Sequence, residues 1–121
     1  MGETDARVLT DKTALRDAAT IIVLRDSDTR PRVLMGQRGK GAAFMPSKFV
    51  FPGGAVDAVD ATIPLARPAA PSCAARLAVE TKTRADAVLA AATRELWEET
   101  GLLLGAPDER AGQFEAPQGW R

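Results

Sequence analysis

The stretch "RELWEETG", Arg94–Gly101, places three glutamates, Glu95, Glu98 and Glu99, within a single segment of eight residues. On an α-helix, residues three and four positions apart lie on one side, so we expect the three carboxylates to converge. Local energetics oppose this, because the like-charged Glu95–Glu99 pair costs about 0.2–0.5 kcal/mol. Anions in the last helical turn add a cost of roughly 0.3–1 kcal/mol each. These penalties at one place indicate that the carboxylates serve a bound partner.

A divalent cation is the simplest partner for this acidic cluster. Mg²⁺ prefers oxygen ligands and is typically shared between carboxylates and substrate phosphates. Such an ion polarises a phosphoryl oxygen, stabilises a leaving group and lowers the pKa of a water molecule. A glutamate close by can then accept the proton of that water. The alternative is that the run is a solvated helix face, which is the more common use of an acidic run taken alone.

The residues before this cluster have helical periodicity. Val88, Ala92 and Leu96 recur at every fourth position, with Leu89 beside them, and this predicts a stripe that faces the core. Gly101 follows the last periodic residue, where glycine commonly ends a helix in a left-handed conformation. The sequence therefore predicts a helix that presents carboxylates on one side and apolar groups on another.

Short apolar segments upstream and downstream predict strands. "ATIIVL", residues 19–24, is apolar at both odd and even positions, which predicts a strand buried on both faces. "RVLMGQR", residues 32–38, forms a predicted hairpin with it across a turn-rich loop. "KFVFPGG", residues 48–54, predicts a third strand that stops at the Pro-Gly-Gly sequence, and "LLLG", residues 102–105, predicts another.

Residues 61–83 differ from the rest of the chain, because prolines recur among alanines and small polar residues. They predict a surface insertion with a short helical turn near residues 73–79. Cys73 lies in this insertion, and we expect it to be inert. A length of 121 residues fits one domain.

Composition excludes several classes of function. The chain has 16 basic and 16 acidic residues, which argues against a basic nucleic-acid binder or a polybasic membrane anchor. It has no histidine, so histidine bases and histidine metal ligands are excluded, and its one cysteine fits a reducing compartment. No apolar run approaches the ~20 residues of a membrane helix. We therefore expect a cytoplasmic protein with no nucleic-acid or membrane partner.

The residues around the acidic cluster resemble a known signature. "FPGGAVDAVD", residues 51–60, followed by "RELWEETGL", residues 94–102, resembles the Nudix box of the Nudix hydrolases. Gly54 stands at the glycine that starts this box, and Asp60 stands six positions later, where the family usually has glutamate. Residues 61–93 separate the halves, where the standard box has a much shorter spacer. A split box of this kind is similar to that of the coenzyme A diphosphatase-like branch.

The resemblance implies an α/β fold of the α+β type: a Nudix α/β/α sandwich with the box helix packed on a mixed sheet. It implies a Mg²⁺ or Mn²⁺ cofactor and hydrolysis of a diphosphate linkage in a nucleoside diphosphate derivative, such as a coenzyme A-like compound or a nucleotide sugar. The implied metal ligands are Glu95, Glu98, Glu99 and a backbone oxygen of Gly53 or Gly54. The implied catalytic residues are Arg94, Glu95 and Glu98, with Arg94 holding a glutamate in place.

The domain limits follow from the extent of the resemblance. We expect an N-terminal arm at residues 1–17, the N-terminal part of a Nudix domain at 18–105, and a tail or the start of a missing half at 106–121. An incomplete sheet exposes an edge, so a homodimer is an open expectation. The alternatives to an enzyme are a catalytically silent nucleotide-binding module and an inactive fragment that forms a dimer.

Other residues near the box have less specific roles. Four aromatic residues are expected to pack in the core; they are Phe44, Phe49, Phe51 and Trp97. Arg38 and Lys40 could meet substrate phosphates, although solvation at the surface is the more common role for such residues.

Overall fold

The computed structural model describes residues 15–43, 46–117 and 119–120. Most of the predicted N-terminal arm, and Phe44, lie outside these residues. The elements, in chain order, are β1 (Ala18–Thr20), β2 (Leu24–Arg25), β3 (Arg32–Val33), β4 (Gly36–Gln37), β5 (Phe49–Val50), β6 (Gly53–Ala55), a first 3-10 segment (Ala58–Thr62), α1 (Pro71–Leu77), α2 (Ala85–Thr100) and a second 3-10 segment (Glu109–Gln113). Short sheets and two helices agree with the predicted α+β class.

The strands form three antiparallel pairs, β1 with β6, β2 with β3, and β4 with β5. The predicted hairpin is confirmed, because Leu24 pairs with Val33 and Arg25 with Arg32. The predicted strand at residues 19–24 is wrong in extent and burial, since it is divided between β1 and β2. Ala19 is buried but Ile22 is 58% exposed, because each short strand pair leaves a face of its apolar residues uncovered.

The predicted third strand is confirmed in part, because β5 ends at Val50, before the Pro-Gly-Gly sequence, but the two glycines then begin another strand that was not predicted. Gly53–Ala55 forms β6, in which Gly54 pairs with Ala19. The pairing continues outside the strand, since the N–H of Ile21 donates to the carbonyl of Pro52 at 3.0 Å. A Cβ at Gly53 would collide with the carbonyl of Ala19. Glycine therefore allows β6 to lie closely against β1.

Helix α2 ends as predicted, because Gly101 has a φ of 77° and its N–H donates to the carbonyl of Trp97 at 2.8 Å. The predicted core stripe is confirmed in part. Leu96 is buried, Val88 and Ala92 are half-buried, and Leu89 is exposed. The other buried apolar residues of α2 are Ala87, Ala90 and Ala91. These small side chains let α2 pack against β1, β6 and the first 3-10 segment.

Other predictions fail around this core. Residues 102–105 are exposed and form no strand. Phe49, 66% exposed, and Phe51 are exposed and do not pack in the core. Trp97 packs as predicted, but its partners come from the tail: its ring centroid lies 5.8 Å from that of Phe114 and 5.6 Å from that of Trp120.

The segment predicted as an insertion contains α1, so a helix occurs close to the predicted turn. Cys73 is exposed on α1 with a free thiol. The segment is tied to the rest of the chain at two places. The N–H of Ala69 donates to a carboxylate oxygen of Asp86 at 2.9 Å, and Thr81 and Thr83 donate their hydroxyls to Asp17. Within the described part of the chain, the helices are all too short or too polar to cross a bilayer.

Candidate metal centre

Arg94 is the centre of a buried polar cluster on α2. It is 3% exposed, and all its guanidinium nitrogens donate hydrogen bonds. Nε and Nη2 donate to the two carboxylate oxygens of Asp60 at 2.8 and 3.0 Å, and Nη2 also donates to the carbonyl of Ala55 at 3.0 Å. Nη1 donates to Glu95 at 3.0 Å and to Glu98 at 2.5 Å. These hydrogen bonds, above all those to Asp60, raise the pKa of Arg94 and keep it charged despite its desolvation.

Asp60 joins the two halves of the box across the intervening segment. It is 1% exposed, and its Oδ2 also accepts the N–H of Asp57 at 2.7 Å. Asp60 was not among the implied metal ligands, and its role as the anchor of Arg94 was not predicted. The available signal was an acidic residue at the box position, six residues after Gly54, together with a helix arginine that needs a counter-charge.

Gly54 lies directly beneath Glu95. A Cβ at this position would collide with the Glu95 carboxylate, whose Oε2 would lie only 2.8 Å from it. The absence of a side chain therefore creates the space that the carboxylate occupies. This contact brings the strand glycines and the helix glutamates together, as the sequence predicts.

Glu99 completes the group at the end of α2. The residue is exposed as a whole, yet the atoms around its carboxyl group reduce its hydration, and this raises its pKa. A hydrogen bond and charge repulsion from Glu95 act in the same direction, while the N–H of Gly53 and the charge of Arg38 oppose them. Glu95 and Glu99 are thus close enough to repel each other. Arg38, one of the two cations considered for phosphate contacts, lies near this pair.

The donor set has the chemistry of a site for a hard divalent cation, since it consists of carboxylate and backbone oxygens. Among residues 15–43, 46–117 and 119–120, no three acidic or cysteine side chains are arranged as a metal cage. Two of the carboxylates, those of Glu95 and Glu98, instead accept hydrogen bonds from Nη1 of Arg94. The residues therefore fit a divalent ion by type and proximity, and such an ion would have to compete with Arg94 for these two carboxylates. The ligand set itself stays a prediction.

Comparisons with known proteins agree with the box. The chain matches the model of the NUDIX domain family over residues 14–118. It is 40% identical to nudix hydrolase 7 of Caenorhabditis elegans over 88 residues, which cover 73% of this chain and 22% of that protein. It also resembles the crystal structure of a NUDIX hydrolase from Alicyclobacillus acidocaldarius, with a TM-score of 0.57 and 30% identity. That match covers 83% of this chain and 43% of the other.

The chain thus spans less than half the length of both relatives. The match to the solved structure confirms the predicted Nudix-type fold, whereas the coenzyme A diphosphatase-like branch stays a prediction. From the glycine strand, the anchored arginine and these comparisons, we conclude that this chain belongs to the NUDIX domain family.

Proposed function

We propose that this protein hydrolyses a diphosphate linkage in a nucleoside diphosphate derivative, with Mg²⁺ or Mn²⁺ held by Glu95, Glu98 and Glu99. The observation that carries this proposal is the buried Arg94, which collects Glu95 and Glu98 at the point where Gly54 meets α2. Divalent metal ions are the general cofactors of the family to which the chain belongs. The family likeness supports the reaction class.

The glutamates, the glycines and Arg94 have different roles in the proposed reaction. The glutamates hold the ion together with a backbone carbonyl oxygen of Gly53 or Gly54. When bound, a divalent ion supplies Lewis-acid chemistry, which stabilises charge on the phosphates and activates water. One of the glutamates accepts the proton of the attacking water. Arg94 brings Glu95 and Glu98 together before the ion binds, and its Nε and Nη2 stay bound to Asp60 when the ion replaces its Nη1 contacts.

The substrate class follows from the box and its surroundings. The split box favours a coenzyme A-like compound, and nucleotide sugars are the second class. Arg38 is near Glu99 and provides positive charge for a substrate phosphate beside the candidate metal centre. The balanced charge of the chain supports a small-molecule substrate over nucleic acid. A cytoplasmic location is part of the same proposal.

A catalytically silent nucleotide-binding module, or an inactive chain that dimerises, is the second candidate. It is favoured by one observation: Arg94 already supplies a cation to Glu95 and Glu98. If no divalent ion displaces these contacts, the domain can bind ligands without turnover. Exposed apolar side chains on the outer strands, such as Leu24 and Phe49, offer a surface for a second copy.

The test is an assay of hydrolysis with a panel of dinucleotides, nucleotide sugars and acyl-coenzyme A compounds, with and without Mg²⁺ or Mn²⁺. We expect metal-dependent cleavage of at least one compound, reduced about 100-fold or more by Glu98→Gln. Glu80→Gln, which changes an exposed glutamate outside the box, is the matched control and should retain activity. No product from any compound, or equal rates for Glu98→Gln and the wild type, would contradict the proposal.

A further inference from the structure

A cavity of about 460 Å³ lies at the opposite end of α2 from the glutamates. Its walls come from residues 16–17, just before β1, from residues 56–61, which include most of the first 3-10 segment, and from residues 82–84, which lead into α2. Ala87 lines the cavity. With a rise of 1.5 Å per residue, Ala87 lies about 16 Å along the helix from Glu98. The cavity therefore lies apart from Glu98, although Asp57 in its lining forms an ion pair with Arg94, in which Oδ2 of Asp57 lies 3.6 Å from Nη2 of Arg94.

The lining combines two kinds of charged group. Arg16, Lys82 and Arg84 contribute positive charge, and Asp17 and Asp57 contribute carboxylates. Cations of this kind bind phosphate oxygens through charge-assisted hydrogen bonds. Ionised carboxylates are acceptors only, so they suit ligand hydroxyl groups. This combination of basic and acidic side chains fits a small molecule that carries both a phosphate and hydroxyl groups.

Hydrogen bonds hold the basic wall in place without a ligand. The hydroxyls of Thr81 and Thr83 both donate to Asp17, Thr81 at 2.7 Å, and the N–H of Thr83 donates to the hydroxyl of Thr81 at 3.0 Å. These contacts fix the segment that carries Lys82 and Arg84 against the start of β1. A fixed wall lowers the cost of ordering these residues when a ligand binds.

We propose that this cavity binds a phosphorylated sugar, with its phosphate at Lys82, Arg84 and Arg16 and its hydroxyls at Asp57. The volume lies within the range of small-molecule sites, roughly 300–1,000 Å³. Val56 and Ala87 provide apolar wall for the sugar ring. Because residues 82–84 lie within the segment between the two halves of the box, the proposal gives that segment a role in ligand binding.

The experiment uses ¹⁵N-labelled protein without divalent metal, titrated with ribose 5-phosphate and followed by amide chemical shifts. We expect saturable shifts at residues 56–58 and 82–87, and at Arg94 through its ion pair with Asp57, with residues 95–99 unchanged. Ribose alone and inorganic phosphate should each bind more weakly than the combined ligand. Absence of shifts at millimolar concentrations, or shifts confined to residues 94–99, would overturn the proposal.

Matched variants complete the test. Lys82→Ala should weaken ribose 5-phosphate binding about tenfold, the equivalent of one charge-assisted hydrogen bond. Lys48→Ala changes an exposed lysine outside the cavity and should leave the affinity unchanged. Equal affinities of the wild type and Lys82→Ala would contradict the site. The result does not depend on the proposed hydrolysis, because no metal is present and the same titration can be repeated with Glu98→Gln.

The source of the ligand is decided by competition. If a nucleotide sugar displaces ribose 5-phosphate, the cavity binds one part of a substrate whose diphosphate lies at the candidate metal centre. A nucleotide sugar that binds at the same time identifies a separate effector. Both results support a phosphorylated-sugar site.

Discussion

The region around α2 and the region of the outer strands are built differently. Around α2, Ala91 and Leu96 are fully buried, and Arg94 and Asp60 are buried beside them. In the outer pairs, β2–β3 and β4–β5, Leu24 and Phe49 are more than half exposed although they are large and apolar. The first region thus buries small side chains and charges, whereas the second leaves large apolar side chains in contact with solvent.

This difference indicates that the region around α2 contains both the candidate active site and the best-packed residues. The hydrophobic contribution to stability follows the apolar area removed from water, so exposed strand residues contribute little. Around α2, each buried group has close partners. Removing one group therefore leaves its partner without a packing contact, a hydrogen bond or an opposite charge. The box is therefore expected to be both the candidate active site and the main source of folding stability in the described part of the chain.

The strongest test of this comparison is Asp60→Ala. The substitution leaves the buried charge of Arg94 without its anchor, and breaking a buried pair in this way costs about 3–5 kcal/mol. We expect the free energy of unfolding, measured by urea denaturation, to fall by that amount. Asp108→Ala breaks an exposed pair with Arg110 and is the control, with little expected effect. Equal losses for the two variants would show that the buried cluster contributes no more than a surface pair.

A second test compares two apolar truncations. Leu96→Ala removes a fully buried side chain, which should lower the free energy of unfolding by about 2–5 kcal/mol. Phe49→Ala removes a larger but 66% exposed side chain and should have a much smaller effect in the isolated chain. If Phe49→Ala is as destabilising as Leu96→Ala, the outer strands are covered in solution, and a dimer would then be seen by light scattering.

The smallest expected effect concerns Asp17, which ties residues 81–83 to the start of β1. Hydrogen bonds from Thr83 and Thr81 lower the pKa of Asp17 below its usual value of 3.8. Since the folded state has the lower pKa, the contribution to stability is complete above the usual value and is lost as the pH falls through the lowered one. Asp17→Asn should thus reduce stability at pH 6, and its difference from the wild type should become smaller as the pH falls below 3.8. Urea denaturation at both pH values measures this, with Asp28→Asn in an exposed turn as the control.

The same comparison explains which predictions succeeded. The hairpin and the glycine that ends α2 follow from local turn and cap chemistry, which a single sequence carries. The buried face of α2 was misjudged because it consists of alanines, whose weak hydrophobicity gives little periodic signal. β6 was missed because its glycines pair through the backbone alone.

The candidate site was predictable in part. The three glutamates could be grouped from helical spacing, and the NUDIX family from the residues of the box. The anchor was missed although Asp60 stands at the acidic position of the box, because residues 61–93 separate Asp60 from Arg94 and the fold brings the two together. The exposure of the outer strands could not be predicted either, because the apolar pattern of a strand does not show whether another element covers it.

The central claim is that the glutamates of α2 bind a divalent cation in competition with Arg94. The most direct measurement is a Mn²⁺ titration followed by electron paramagnetic resonance of the free ion, on the wild type, Glu98→Gln and the control Glu80→Gln. We expect saturable Mn²⁺ binding to the wild type and to Glu80→Gln, and Mn²⁺ binding at least about tenfold weaker for Glu98→Gln. Identical binding curves for all three proteins would contradict it.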